Sequence, residues 1–236
     1  PEGPEIRRYT DRLREMIQGK VLVELKFLSG RYVEEPQYKV QKKKSLPMRY
    51  QDLVDKMPIR ILDVRCKGKF QYWLMERDMT IWITHGMTGR FTTVKEKHSH
   101  VEFTFQDGQL ESKIWFTDVR RFGTIKFESY HALEKKLDSL GPDILESIDE
   151  GIWIDSMRKR PDWTLPKLLM NQRYVCGIGN YLKAETLFRC GISPHRTVKD
   201  LTDDELLKIK RSAQQLAMQA YHEGGILFLC YARSCT

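Results

Sequence analysis

The first five residues, Pro1-Glu2-Gly3-Pro4-Glu5, combine an imino acid with two carboxylates. A terminal proline carries a secondary amine, and free α-amino groups have pKa values near ~8, well below the ~10.4 of lysine. The uncharged amine can attack an aldehyde carbon and form an iminium, the electron sink of Schiff-base catalysis. Glu2 and Glu5, at the positive end of a helix that starts at Pro4, are suited to move protons beside it. The alternative is that the chain merely happens to begin at Pro1 and that the glutamates cap the helix.

Two loop segments combine residue types that nucleic-acid-binding proteins use. In Arg120-Arg121-Phe122-Gly123, two guanidinium groups can grip phosphates while the aromatic ring enters a base stack. Gly86-Met87-Thr88-Gly89 lies between two predicted strands and can present Met87 as an apolar wedge. The structural alternatives are an exposed arginine pair with Phe122 in the core, and a Met87 that fills the core.

Two further segments offer contacts to phosphate. Lys67-Gly68-Lys69 lies between predicted strands, and its lysines can bind a phosphate, pair with a carboxylate or form only a charged turn. In Gly177-Ile178-Gly179-Asn180, the glycines allow backbone N–H groups to approach a phosphate, and Asn180 begins the next helix. A Gly-x-Gly pattern alone is common, so its setting between two short helices carries the prediction.

Composition narrows the class of protein. The chain has 236 residues, a net charge of +8 and a pI of about 9.2, which makes nucleic acid the first partner to test. The lysine-rich stretch 39–49 adds to the positive electrostatic potential that attracts a polyanion. No apolar run approaches the ~20 residues of a membrane span, and no secretory signal is recognisable. Five scattered cysteines favour free thiols, so we expect an intracellular protein in a reducing compartment, nuclear or cytoplasmic, without a metal site.

The elements that position these residues change type near residue 130. Strand patterns dominate before it, with a hairpin turn at Asp107-Gly108, and helical patterns dominate after it. A capping box at Thr202–Glu205 opens a long helix. The sequence thus predicts an α+β protein: an N-terminal β-sandwich with a leading helix over 1–130, a linker region over 131–150 and a helical domain over 151–236. Strands are predicted at 21–28, 59–64, 70–75, 80–84, 101–105, 113–116 and 124–127.

In chain order, these segments resemble the Fpg/Nei family of DNA glycosylases, named for formamidopyrimidine-DNA glycosylase and endonuclease VIII. The opening is similar to the Nei type, because Fpg-type members usually have leucine where this chain has Gly3. The segment from Leu169 to Asn180 resembles the family's helix–two-turn–helix signature. The resemblance covers nearly the whole chain through motifs at 1–6, 66–69, 86–89, 118–123 and 169–180.

This resemblance implies a bifunctional DNA glycosylase and AP lyase of base excision repair. It implies that oxidised bases are removed through a Schiff base and that β,δ-elimination follows. The Gly3 signature indicates that these bases are pyrimidines. Its partner would be double-stranded DNA with oxidised bases or abasic sites, bound by a monomer without a cofactor or a membrane. The implied catalytic residues are Pro1, Glu2, Lys69 and Glu5. The implied DNA-binding residues are Met87, Arg120 and Phe122, which fill the gap left by a flipped nucleotide, and Arg121 and Asn180, which with Lys69 hold phosphates.

Two features depart from the family pattern. Members usually close with a four-cysteine zinc finger, whereas Leu227–Arg233 is only faintly similar to its approach, so we expect the finger to be absent or truncated. Many members have a histidine three residues before the loop methionine, whereas His85 stands two before Met87. Two alternatives stay open: an Fpg-type glycosylase for 8-oxoguanine and formamidopyrimidines, and a non-catalytic damaged-DNA-binding protein on the same scaffold.

Overall fold

The structure is a computed structural model that describes residues 1–33 and 45–224. Residues 39–44 of the lysine-rich stretch, and the 227–233 segment with the cysteines at 230 and 235, lie outside the described residues. The chain divides into two compact units. The first comprises Pro1, Tyr9–Cys66 and Phe70–Glu134, and the second comprises Glu2–Arg8, Lys67–Lys69 and the chain from Lys135 onward.

Within its described residues, the first unit is built on eight β-strands in the order β5-β7-β6-β1-β2-β3-β4-β8. β1 pairs with β2 through only two residue pairs, at the N-terminal end of β1. The strands therefore form two layers, whose inward-facing side chains make one core. The β-sandwich prediction is confirmed. The strands are β1 (Val21–Phe27), β2 (Ile59–Lys67), β3 (Phe70–Met75), β4 (Met79–Thr84), β5 (Arg90–Thr92), β6 (Ser99–Asp107), β7 (Leu110–Thr117) and β8 (Thr124–Glu128).

Large aromatic side chains fill the core of the first unit. Trp73, Phe103 and Phe105 are fully buried, with ring centroids of Trp73 5.1 Å from Phe103 and 6.3 Å from Phe105. The predicted hairpin joins β6 to β7, with Asp107 paired to Leu110 and a left-handed glycine, φ 60°, between them. The elements that were not predicted include β5 and a short helix, α2 (Tyr50–Lys56).

The leading helix, α1 (Gly3–Ile17), begins one residue before the predicted start. The first turns of α1, within Glu2–Arg8, belong to the second unit. The rest of this unit is a helical bundle around a core that includes Trp153. The Trp153 indole N–H donates to the Leu206 carbonyl at 2.9 Å. The capping box at Thr202 is confirmed, since its hydroxyl accepts the Glu205 N–H at 3.2 Å. The helices are α3 (Tyr130–Asp138), α4 (Glu150–Arg158), α5 (Leu165–Leu169), α6 (Asn180–Cys190) and α7 (Asp203–Glu223).

Within the described part of the chain, no helix is long and apolar enough to cross a membrane. The three cysteines of the described ranges, Cys66, Cys176 and Cys190, form no disulfide there.

Candidate functional site

The Glu2 carboxylate lies against the first turn of α6. It is 7% exposed and accepts three backbone N–H groups: Gly179 at 2.9 Å and Leu182 at 3.2 Å on Oε2, and Tyr181 at 2.8 Å on Oε1. The first N–H groups of a helix lack partners within the helix, and its N-terminus carries partial positive charge. The anion held at this helix end is therefore the Glu2 side chain, where the sequence had suggested a phosphate.

Glycines allow this close approach. A Cβ at Gly179 would overlap the Glu2 carboxyl group and lie 2.6 Å from Glu2 Cγ. Gly3 donates its N–H to the Gly177 carbonyl at 2.8 Å, and a Cβ at Gly3 would lie 2.8 Å from Gly177 Cα. Gly3 therefore has a packing reason of its own, and its presence says little about the preferred lesion.

The 67–69 turn is fixed by a buried carboxylate that the sequence motifs did not single out for this role. Asp143, 5% exposed, accepts the Gly68 N–H at 2.8 Å and the Leu145 N–H at 3.1 Å. Lys67 donates to main-chain carbonyls at the end of α3. Lys69 is half-buried, and this burial lowers the pKa of its amine against the opposing attraction of Glu2 and Glu5.

Glu5 has a defined structural contact. Its Oε2 accepts the Glu2 N–H at 2.8 Å, so one glutamate orders the first turn of α1 and thereby the backbone that carries the other. This is the contact expected of the helix-capping alternative. The catalytic assignments of Pro1, Glu2, Glu5 and Lys69 stay predictions.

Gln172 organises the turn that precedes α6. Its side-chain oxygen accepts the Gly177 N–H at 2.9 Å, and its amide donates to the carbonyls of Met170 and Ile178 at 3.2 and 3.1 Å. Asn180 is exposed at the helix start, and its Oδ1 accepts the Lys183 ammonium at 3.0 Å. These hydrogen bonds span at most six residues, so they fix the turn locally.

In the first unit, both candidate wedge side chains point outward. Met87 is 59% exposed and Phe122 is 54% exposed, so the alternatives in which they fill the core are wrong. The Arg120 guanidinium lies over the Phe122 ring, 5.0 Å from its centroid. Arg121, by contrast, is half-buried with a left-handed backbone, φ 59°, and lines a small cavity of about 20 Å³.

His85 is buried and braces the loop that carries Met87. Its Nδ1 lies 2.9 Å from the Gly89 carbonyl and its Nε2 lies 3.2 Å from the Gln71 side-chain oxygen. Burial, and to a smaller extent the positive amino terminus, lower its pKa to about 4 against the opposing effects of the Gly89 hydrogen bond and Asp118. The ring is therefore neutral at pH 7. His85, which stands at a different distance from the loop methionine than in many family members, has a structural role here.

Comparison with known proteins agrees with this arrangement. The model of the formamidopyrimidine-DNA glycosylase N-terminal domain matches residues 1–125, and that of the formamidopyrimidine-DNA glycosylase H2TH domain matches residues 140–228. The chain belongs to the formamidopyrimidine-DNA glycosylase family. Membership places it among the DNA glycosylases of base excision repair, and it confirms the predicted family and helix–two-turn–helix domain.

Individual relatives give the same result. The formamidopyrimidine-DNA glycosylase of Brevibacillus brevis is 29% identical over 233 residues, which cover 95% of this chain and 79% of that protein. The Rickettsia massiliae protein of the same name is also 29% identical, with coverage of 95% and 77%. The solved MutM (Fpg) protein of Thermus thermophilus is 26% identical with a TM-score of 0.77, covering 95% of this chain and 77% of its own. The Lactococcus lactis enzyme bound to DNA with an AP site, 21% identical with a TM-score of 0.79, covers 95% of this chain and 82% of its own and supports the fold.

Proposed function

We propose that this chain is a bifunctional DNA glycosylase and AP lyase that uses the imino nitrogen of Pro1 as its nucleophile. The observation that carries the proposal is the Glu2 carboxylate, held by three N–H groups at the start of α6 and directly following Pro1 in the chain. Held in a single orientation, it is suited to general acid–base work on a sugar bound to its neighbour. The proposal requires that Pro1 be the amino terminus of the active protein.

The chemistry runs in two stages. The Pro1 nitrogen bonds to C1′, the base leaves with the electron pair of the glycosidic bond and takes up a proton from solvent, and the Pro1 nitrogen passes its own proton to the Glu2 carboxylate. Glu2 protonates the ring oxygen as the C1′–O bond opens, which leaves an iminium between C1′ and Pro1. Loss of a proton from C2′ then expels the 3′ phosphate, and a second elimination expels the 5′ phosphate. Water releases the sugar fragment and restores the amine.

Lys69 is proposed to bind a phosphate next to the lesion. Burial lowers the pKa of its amine, and the negative charges of Glu2 and Glu5 oppose that effect. A phosphate arriving at Lys69 would add to these negative charges and favour the ammonium form. Arg121 and Asn180 are proposed to contact phosphates as well, and Met87, Arg120 and Phe122 to fill the gap that a flipped nucleotide leaves.

For the lesion, we infer the Fpg-type preference for formamidopyrimidine and 8-oxoguanine. The relatives from Brevibacillus brevis and Rickettsia massiliae bear the formamidopyrimidine-DNA glycosylase name. The feature that favoured oxidised pyrimidines was Gly3, whose packing against Gly177 accounts for it without reference to the base.

The test is a panel of duplexes that carry formamidopyrimidine, 8-oxoguanine, thymine glycol, dihydrouracil or a preformed abasic site. We expect excision of the two purine lesions at least about tenfold faster than of the pyrimidines, with strand cleavage that leaves phosphates at both ends. Glu2→Gln should slow excision on the order of a hundredfold and change DNA affinity little. Faster excision of thymine glycol would overturn the lesion preference. Tight binding without any cleavage would identify the non-catalytic alternative.

A further inference from the structure

The two loops with exposed apolar tips, 86–89 and 119–123, are joined by one buried carboxylate. Asp118 is 1% exposed, and its Oδ1 accepts the Thr88 hydroxyl and, at 3.3 Å, the Arg120 N–H. Its Oδ2 accepts the Gly123 N–H at 2.7 Å. Thr88 Oγ1 in turn accepts the Arg120 N–H at 3.0 Å. Asp118 and Thr88 thus tie the two loops to each other. We name these two segments the wedge loops.

The backbones of the wedge loops are also in direct contact. Gly86 has a left-handed backbone, φ 58°, and a Cβ there would lie 2.8 Å from both the Gly123 nitrogen and the Phe122 carbonyl carbon. A Cβ at Gly123 would lie 2.7 Å from Phe116 Cζ and 3.0 Å from Asp118 Oδ2. A methyl group at either position would force its neighbours apart, so the two backbones are packed as one body.

Further hydrogen bonds brace the pair from beneath. The first wedge loop is closed by the Gly89 N–H, which donates to the His85 carbonyl at 2.8 Å, and by the His85 ring, which contacts the Gly89 carbonyl. The second is held by Arg31, which donates to the carbonyls of Phe122 and Gly123 at 3.3 and 3.1 Å. The base of the assembly is buried and held by many hydrogen bonds, whereas its tips are exposed and apolar.

We propose that Asp118 and Thr88 are positioning residues that lock the wedge loops into one preformed wedge, so that Met87 and Phe122 enter the base stack together. The inference rests on the proposed function, because it assumes that these tips fill the gap of a flipped nucleotide. A preformed wedge avoids ordering two loops at the moment when the stack opens, and this ordering would otherwise oppose binding. Excision of an intact base needs the wedge, whereas cleavage at a preformed abasic site needs no base to be displaced.

The test replaces the hydroxyl that joins the loops. Thr88→Val keeps the shape of the side chain and removes the hydrogen bond to Asp118, and Thr88→Ser restores the hydroxyl. The matched control is Thr84→Val, because Thr84 ends the strand before the first wedge loop and its hydroxyl bonds across to Thr124 of β8, at 2.6 Å. All variants are measured in the full chain, with circular dichroism to verify folding.

Two readouts separate the wedge from the chemistry. The first is single-turnover excision of the preferred lesion against cleavage of an abasic site. The second is the fluorescence of a 2-aminopurine placed beside a tetrahydrofuran site, at saturating protein, which reports disruption of the stack without any bond being broken.

We expect Thr88→Val to lower excision at least about tenfold, since a hydrogen bond to a charged group is worth this much in an equilibrium. Its abasic-site cleavage, and both activities of Thr84→Val, should stay within about twofold of the unmodified chain. The 2-aminopurine response should fall by more than about half in Thr88→Val and return in Thr88→Ser. Equal losses on both substrates, or an unchanged 2-aminopurine response, would overturn the locked wedge and leave the enzyme assignment standing. A response that depends on Thr88 in a chain that cleaves nothing would instead remove the proposed function and keep the wedge.

Discussion

Gly179→Ala should displace the Glu2 carboxyl group from the start of α6 while changing little else. The backbone of Gly179, φ −125° and ψ −163°, is accessible to alanine, so the substitution adds no backbone strain. The added methyl group would overlap the Glu2 carboxyl carbon. Glu2 must then give up its hydrogen bonds to the N–H groups of Gly179, Tyr181 and Leu182.

The magnitude follows from these three bonds. Hydrogen bonds to a charged group are worth roughly 1.5–3 kcal/mol each, so the loss of even two of the three, at the lower value, amounts to roughly 3 kcal/mol. If this energy serves to hold Glu2 in its working position, its loss lowers the excision rate by about a hundredfold. The same displacement leaves the start of α6 without its acceptor, so the folding free energy should fall as well, by at least the roughly 1 kcal/mol of a lost helix N-cap.

The assay is single-turnover excision at saturating protein, together with DNA affinity by fluorescence anisotropy. Gly191→Ala is the matched control, since Gly191 ends the same helix with φ 64° and nothing lies within 4 Å of the added methyl group. The control should lose about 1 kcal/mol of stability through its left-handed backbone and keep its excision rate. The Glu2→Gln/Gly179→Ala double variant should be no slower than Glu2→Gln, because both changes act on one group. Excision by Gly179→Ala within about threefold of the unmodified chain would refute the assigned role of this contact.

Three further predictions concern stability and specificity. The folded state binds a proton on His85 only near pH 4, whereas the unfolded state binds it near pH 6.5. The free energy of unfolding should therefore fall by roughly 3 kcal/mol as the pH drops across that interval. Chemical denaturation of His85→Gln should show a weaker dependence of this free energy on pH, and identical slopes would contradict the prediction. Asp143→Ala leaves the Gly68 N–H without its partner and should lower Tm by roughly 6–12 °C, about 3 kcal/mol, in a calorimetric scan, whereas a change within about 2 °C would argue against the anchor. Gly3→Ala should destabilise the chain by about 1–3 kcal/mol through its contact with Gly177 and leave the ratio of purine to pyrimidine excision unchanged; a shifted ratio would restore Gly3 as a specificity residue.

Local patterns predicted most of the elements because their causes lie within a few residues. The capping box at Thr202 and the Asp107-Gly108 hairpin both lie where the sequence indicated. β5, with three residues, and α2, with seven, are too short to show a clear period and were missed.

The candidate site was predicted unevenly for the same reason. The loop residues Met87 and Phe122 were recognised from their immediate neighbours in the chain. Glycines lie beside both residues, and two arginines directly precede Phe122. The contact of Glu2 with α6 joins residues 177 to 180 positions apart, and Asp143 reaches Gly68 across 75 positions. Periodicity carries no information on such pairs. The one available signal was the succession of glycines at 177 and 179, and it was interpreted as a phosphate site when it serves a carboxylate.

The most direct measurement is mass spectrometry of the adduct formed when borohydride reduces the chain bound to abasic DNA. Peptide mapping should find the deoxyribose remnant on the Pro1 nitrogen, and a chain extended by one residue before Pro1 should form no adduct. A remnant on the Lys69 amine, or an undiminished adduct in the extended chain, would contradict it.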